Sequence, residues 1–167
     1  MDKQLRRYLN DHLAGAGGAI KVLDRLVQEE TAGEDFYRHL KSQVEEDQHK
    51  LQHLLASAGL DQSAPARLAG AVTAEAGRLK LMWEGFEPGE LGLFEALEML
   101  ALGIQGKRLL WVILGEIAPA FPEWRGINFA HLELAATRQR DAVEERRIEA
   151  GRAALVGPER RATPGEA

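Results

Sequence analysis

The chain has no cysteine among its 167 residues. That excludes disulfide staples, thiolate nucleophiles and Cys-ligated zinc or iron–sulfur centres. No stretch approaches the roughly 18 apolar residues of a membrane span, so no membrane partner is expected. The opening, MDKQLRRYLND, carries no apolar run after its charges, so no secretory leader is expected and a cytoplasmic location is the simplest reading. No segment alternates with period two over a useful length, which leaves no basis for a sheet. Excess positive charge is lacking too. The 21 Lys and Arg are outnumbered by 26 Asp and Glu, for a net charge of −5. Such a chain has no global reason to bind nucleic acid or an anionic membrane. The basic pairs Arg146-Arg147 and Arg160-Arg161 have glutamates beside them and read as solvated faces. Aromatic residues are few. Trp83, Phe86, Trp111, Phe121 and Trp124 fall in or near connections, where they are expected to seal bundle ends rather than stack a cofactor.

What is present is 45% apolar and 28% charged residues, enough for one globular domain with a real core. Five helical segments follow from periodicity and breakers. The first runs from about Asp2 to Glu30, with Leu5, Leu9, Leu13, Ala16, Ile20, Leu23 and Val27 at three- and four-residue steps. Thr31-Ala32-Gly33 stops it, with Gly33 suited to a left-handed cap. The second runs from about Glu34 to Ala58. Its apolar face holds Phe36, Leu40, Val44, Leu51, Leu54 and Leu55. Ser63 and Pro65 then open a shorter segment, about Ala66 to Trp83. The glycine- and proline-rich break EGFEPGELG precedes a fourth, about Glu90 to Ile117, which Pro119 and Pro122 close. The fifth runs from about Asn128 to Val156. Residues 1–156 read as one helical domain and 157–167 as a flexible tail.

The first two segments are joined so tightly that they must form an antiparallel hairpin, and the last two can form another. Between them lies a crossover with its own helix, long enough to return the chain to the other end of the bundle. The fourth segment then runs parallel to the second. With this order, the helix lengths and the stretches YLNDHLAG and LGIQGKRLLW, residues 2–155 resemble the ferritin-like superfamily. More narrowly, they resemble bacterial ferritin-like domain proteins of no assigned activity. The resemblance implies an all-α, ferritin-like four-helix bundle. In its enzymes two metals are held by a glutamate from each of two helices and a Glu-x-x-His from each of the other two.

The chain has one literal match, Glu46-Asp47-Gln48-His49. At 100° per residue, Phe36, Leu40, Val44, Leu51 and Leu55 gather in one arc, and Glu46, His49 and His53 point nearly opposite. Asp47 falls inside the apolar arc. The fifth segment offers only Glu144 and Glu145, with Arg147 and Ile148 three residues on and no imidazole. A complete di-metal site is therefore not expected. Other polar residues point inward by the same measure. His12 lies near the centre of the first stripe. Glu98, Gln105 and Arg108 share a row with Phe94, Ala101 and Val112, and Gln139 sits on the apolar face of the fifth segment. Across the hairpins His12 falls opposite Gln52, Asp47 opposite Gly17, and Gln105 opposite Gln139. Buried charges must be paired. The expectation is a polar network of His12, Asp47, Gln105, Arg108 and Gln139, with Glu98 nearer one end and Arg108 paired to Asp47 or Glu98. It is read either as structural, or as a pocket or single-metal site on His12, Asp47 and Glu98. Arg108 would compete with a metal for those carboxylates.

Gly15 and Gly18 form a smooth row with Asp11 and Val22, and Gly103 and Gly106 form another. Glycine in a helix costs about 1 kcal/mol relative to alanine. A close helix or a second subunit explains them, with ligand contact as the alternative. GIQGK lacks the phosphate-loop spacing and its preceding strand. The functional expectation is a non-catalytic, self-associating module, most simply a homodimer. The alternative is a metal-dependent oxidoreductase holding iron, manganese or zinc on His12, Asp47 and Glu98, with Glu30 or Glu145 completing the set. A third option, a small-molecule pocket, follows from the wide apolar girth of the fourth segment.

Overall fold

The computed structural model describes residues 2–29, 33–59 and 89–156. The expected helix 66–83, Ser63, Trp83, Phe86, Glu30, Thr31, Ala32 and the tail 157–167 lie outside the described residues. Among the described residues four helices are present: α1 (Asp2–Glu29), α2 (Glu34–Ser57), α3 (Glu90–Ile117) and α4 (Phe129–Leu155). Two short 3-10 turns, Ala118–Ala120 and Pro122–Trp124, join α3 to α4. Among the described residues there is no strand. The protein is an all-helical bundle, and no described helix is long and apolar enough to cross a membrane.

Several ends of these helices have a local cause. Pro119 and Pro122 cannot continue an α-helix, and each sits in the first positions of a 3-10 turn. Asn128 caps α4 by accepting a 2.9 Å hydrogen bond from the His131 N–H on its side-chain oxygen. Glu34 and Asp35 place negative charge at the positive end of α2. Gly33 corrects an expectation. Its φ is −115°, so no left-handed cap forms there. The residue is small for another reason: a Cβ at Gly33 would lie 2.5 Å from the Tyr37 ring.

The helices pair as α1 with α2 and α3 with α4, and α1 meets α3 along a shorter contact. Three contacts set the directions. The Trp124 indole N–H, just past the end of α3, donates to the Leu54 carbonyl near the end of α2. Arg146, late in α4, stacks 4.1 Å over the Phe36 ring near the start of α2. A Cβ on Gly151 of α4 would meet the ring of Phe94, early in α3. The C-terminal ends of α2 and α3 therefore share one end of the bundle, and α3 runs parallel to α2. Trp124 is buried at that end, with Phe121 stacked on it at 4.2 Å. Trp111 is different: it sits in the core rather than at an end.

The core rows step alternately by three and four residues. On α2 the row is Leu40, Val44, Asp47, Leu51 and Leu54. On α3 it is Leu97, Leu100, Ile104, Lys107, Trp111 and Leu114. On α4 it is Phe129, Leu132, Ala136, Gln139 and Val143. Apart from Lys107, which keeps some exposure, every member of these rows is buried. This is the spacing of helices packed at a small angle, side chain into the gap between side chains. Each row contains a single polar residue.

Candidate functional site

Those three polar residues meet. The Lys107 ammonium donates to Asp47 Oδ2 at 2.7 Å and to Gln139 Oε1. The Gln139 amide closes the triangle by donating to Asp47 Oδ2 at 3.3 Å. Lys50 approaches the other Asp47 oxygen at 3.7 Å. The Asp47 and Lys107 side chains are only 8% and 14% exposed, so the pair is largely removed from water. Desolvation pushes the Lys107 ammonium below its ordinary value, and the opposing pull of Asp47 does not offset it. Asp47 can lie inside a helical core because two ammonium groups and an amide satisfy it.

Beside this triangle a cleft of about 570 Å³ opens between α1, α2 and α3. Its walls are mostly apolar: Val44 and Leu51 from α2, and Met99, Leu100, Ile104, Leu110 and Trp111 from α3. From α1 come Gly15, Ala16 and Ala19, with Tyr8, Asp11 and His12 nearer one end. Asp47 and Lys107 reach its wall. His12 is half-buried and packs edge-on against Tyr8, with ring centroids 4.7 Å apart. Burial lowers the His12 pKa from its ordinary value, and nearby Asp11 opposes that shift. The Trp111 side chain is 1% exposed, and its indole N–H has no hydrogen-bond partner among the described residues.

Several expected members of the polar network stand elsewhere. Arg108 is corrected: it is half-buried on the side of α3 that faces α4. It pairs with Glu133 of α4 at 2.8 Å, and Lys107 takes the place beside Asp47 that was expected of it. One residue is 100° of helix, and the core row of α3 passes through 107 rather than 108. Glu98 is exposed and pairs with Arg147 at 3.1 Å. Gln105 is half-buried and accepts from Arg140, one residue from Gln139. His12 does not join the triangle. A Cβ on Gly17 would sit 3.9 Å from Gln48 Nε2, which puts His12 more than a turn along α1 from the level of Asp47.

Glu46 and His49 are exposed, and Glu46 pairs with Lys50 at 2.7 Å. Among the described residues no group of three or more His, Asp or Glu side chains is placed to hold a metal ion. His12, Asp47 and Glu98 are not brought together, and Glu145 is exposed on α4. Among the described residues, a Cβ on Gly15, Gly103 or Gly106 would meet nothing within 4 Å, so no described helix approaches them closely. These three line the cleft, and Gly18 is half-buried on α1. Comparison with protein-family models, with curated proteins and with solved structures finds no match.

Proposed function

We propose that the protein is a non-catalytic helical bundle, ferritin-like in arrangement, that binds a small and mainly apolar molecule between its two hairpins. The cleft carries this reading. Its volume of about 570 Å³ falls among ordinary ligand sites, which run roughly 300–1,000 Å³ with apolar walls and a few polar groups. The parallel course of α2 and α3 and the two antiparallel hairpins support the ferritin-like arrangement. The carboxylates do not favour the metal-dependent alternative. Asp47 is held by Lys107 and Lys50, Glu98 by Arg147 and Glu46 by Lys50, so an iron, manganese or zinc ion would first have to break ion pairs.

The uncharged fluorophore N-phenyl-1-naphthylamine tests the proposal. It is expected to bind saturably with about one site per chain. The double variant Gly103→Phe/Gly106→Phe is expected to abolish binding, because side chains added there grow into open space in the cleft. No saturable binding, or undiminished binding by a folded double variant, refutes the reading.

A second reading, self-association, rests on Leu102, Leu109 and Ile113. They are 65%, 52% and 43% exposed along one side of α3. A homodimer covering them gives twice the chain mass in light scattering, and a strict monomer at high concentration counts against it.

A further inference from the structure

The charges around the cleft restrict what it accepts. Lys107 is the cation on its wall, and it is already committed to Asp47 and Gln139. Asp47, the anion on its wall, is matched by Lys107 and Lys50. Asp11 stands at the edge, largely exposed, 3.9 Å from Arg7. Asp11 at the edge keeps its charge in water, and a ligand ion entering beside the triangle would shed its water and find no unmatched counter-charge. That is the most unfavourable way to bury a charge.

The polar groups that remain are neutral. Among the described residues, His12 makes no hydrogen bond or ion pair. Its ring packs against Tyr8, and its nitrogens, with no described hydrogen bond, are open to a guest. The Trp111 indole N–H lacks a partner as well, in the wall contributed by α3. Gly15 and Ala16 of α1 and Gly103 and Gly106 of α3 also line the cleft, and they present no side chain long enough to fill the space. The site is thus a hydrocarbon-lined slot with an unsatisfied imidazole towards one end.

We infer that the cleft takes an uncharged, mostly hydrocarbon molecule with one hydroxyl or carbonyl group, seated with that group against His12. This rests on the proposed ligand-binding function and names the class of ligand. The imidazole offers both a donor and an acceptor in its neutral form, so either head group finds a partner. The chain of the molecule replaces water along the glycine and alanine surfaces of α1 and α3.

Displacement of N-phenyl-1-naphthylamine from the full chain at pH 7.5 tests this with three probes of one carbon skeleton: 1-decanol, decanoate and decylammonium. Decanol is expected to displace the fluorophore at a concentration at least about tenfold below either ion. In His12→Phe, which keeps an apolar ring of similar size, decanol is expected to weaken about fivefold or more. Fluorophore affinity itself should stay nearly constant in that variant. Decanoate or decylammonium matching decanol overturns the inference, as does an unchanged decanol affinity in His12→Phe. Fluorophore binding that falls as protein concentration rises puts a second copy in the cleft and also overturns it. A fluorophore that fails to bind the wild type removes the proposed function itself, a result distinct from the others.

Discussion

Replacing Lys107 with methionine keeps the length of the side chain and removes its charge. Asp47 is then left in the core with Gln139 and with Lys50, 3.7 Å from its other oxygen. Removing one member of a fully buried pair costs about 3–5 kcal/mol, because the remaining charge has lost its solvation and its partner. Two features reduce that figure. The Lys107 side chain keeps 14% of its exposure, so water reaches the site in part, and Lys50 can swing closer to Asp47. A loss of about 2–3 kcal/mol is expected for Lys107→Met. At about 2–4 °C per kcal/mol for a domain of this size, Tm falls by roughly 4–12 °C. The double variant Asp47→Leu/Lys107→Met removes both charges and is expected to return to within about 1 kcal/mol of wild type, since an apolar pair of similar volume commonly replaces a buried ion pair without loss. Urea denaturation with a common slope reads all three free energies, and the cycle gives the coupling. A single variant within about 0.5 kcal/mol of wild type refutes the reasoning, because Asp47 would then be as well satisfied without Lys107.

Two other perturbations are read as directly. Folding holds the His12 pKa below its unfolded value, so the unfolded chain binds a proton first as pH falls through about 6.5. His12 therefore contributes stability that is present above that pH and is lost as pH drops through its folded value. Between pH 7.5 and 5.0 the wild type is expected to lose more stability than His12→Leu, and equal losses in urea midpoints would sink the assignment. Gly103→Ala and Gly106→Ala are each expected to stabilise by up to about 1 kcal/mol, because the new methyl meets open space and alanine favours the helix. Gly151→Ala is expected to destabilise instead. Its methyl would lie 2.9 Å from Phe94 Cε2, and overpacking of about 1–3 kcal/mol outweighs the helix gain. Thermal denaturation that gives all three the same sign contradicts the packing described.

The helices were legible because their signals are local. Apolar residues at three- and four-residue steps mark α1 and α2. Proline closes α3, and Asn128 caps α4. Direction was legible from connection length: a tight link forces a hairpin, and a long one permits the parallel course of α2 and α3. Gly33 was misread because a glycine at a helix stop has two causes, a left-handed backbone or a crowding neighbour. The crowding neighbour, Tyr37, is a matter of tertiary packing around the turn.

The site was harder to read because α3 is apolar around most of its circumference. Leu102, Leu109, Val112 and Ile113 are exposed yet indistinguishable in composition from buried Leu97, Leu100 and Leu110. A face chosen one residue away then selects Arg108 and Glu98 in place of Lys107. The strict alternation of steps through Leu97, Leu100, Ile104, Trp111 and Leu114 leaves one gap, and residue 107 fills it. On α2 and α4 the same alternation passes through Asp47 and Gln139, and their burial needed only a narrow apolar arc to be seen. A polar residue in such a row lowers stability and fixes how the helices align. Three of them in one triangle oppose any slip of α3 against α2 or α4, since a one-residue shift would strand a charge. The triangle can hold the hairpins in register while α1 stands back from α3 above it. Gly15, Ala16 and Ala19 on one side and Gly103 and Gly106 on the other carry no side chains able to close the gap. Among the described residues, the small side chains of α1 and α3 thus leave the cleft open where larger ones would fill it.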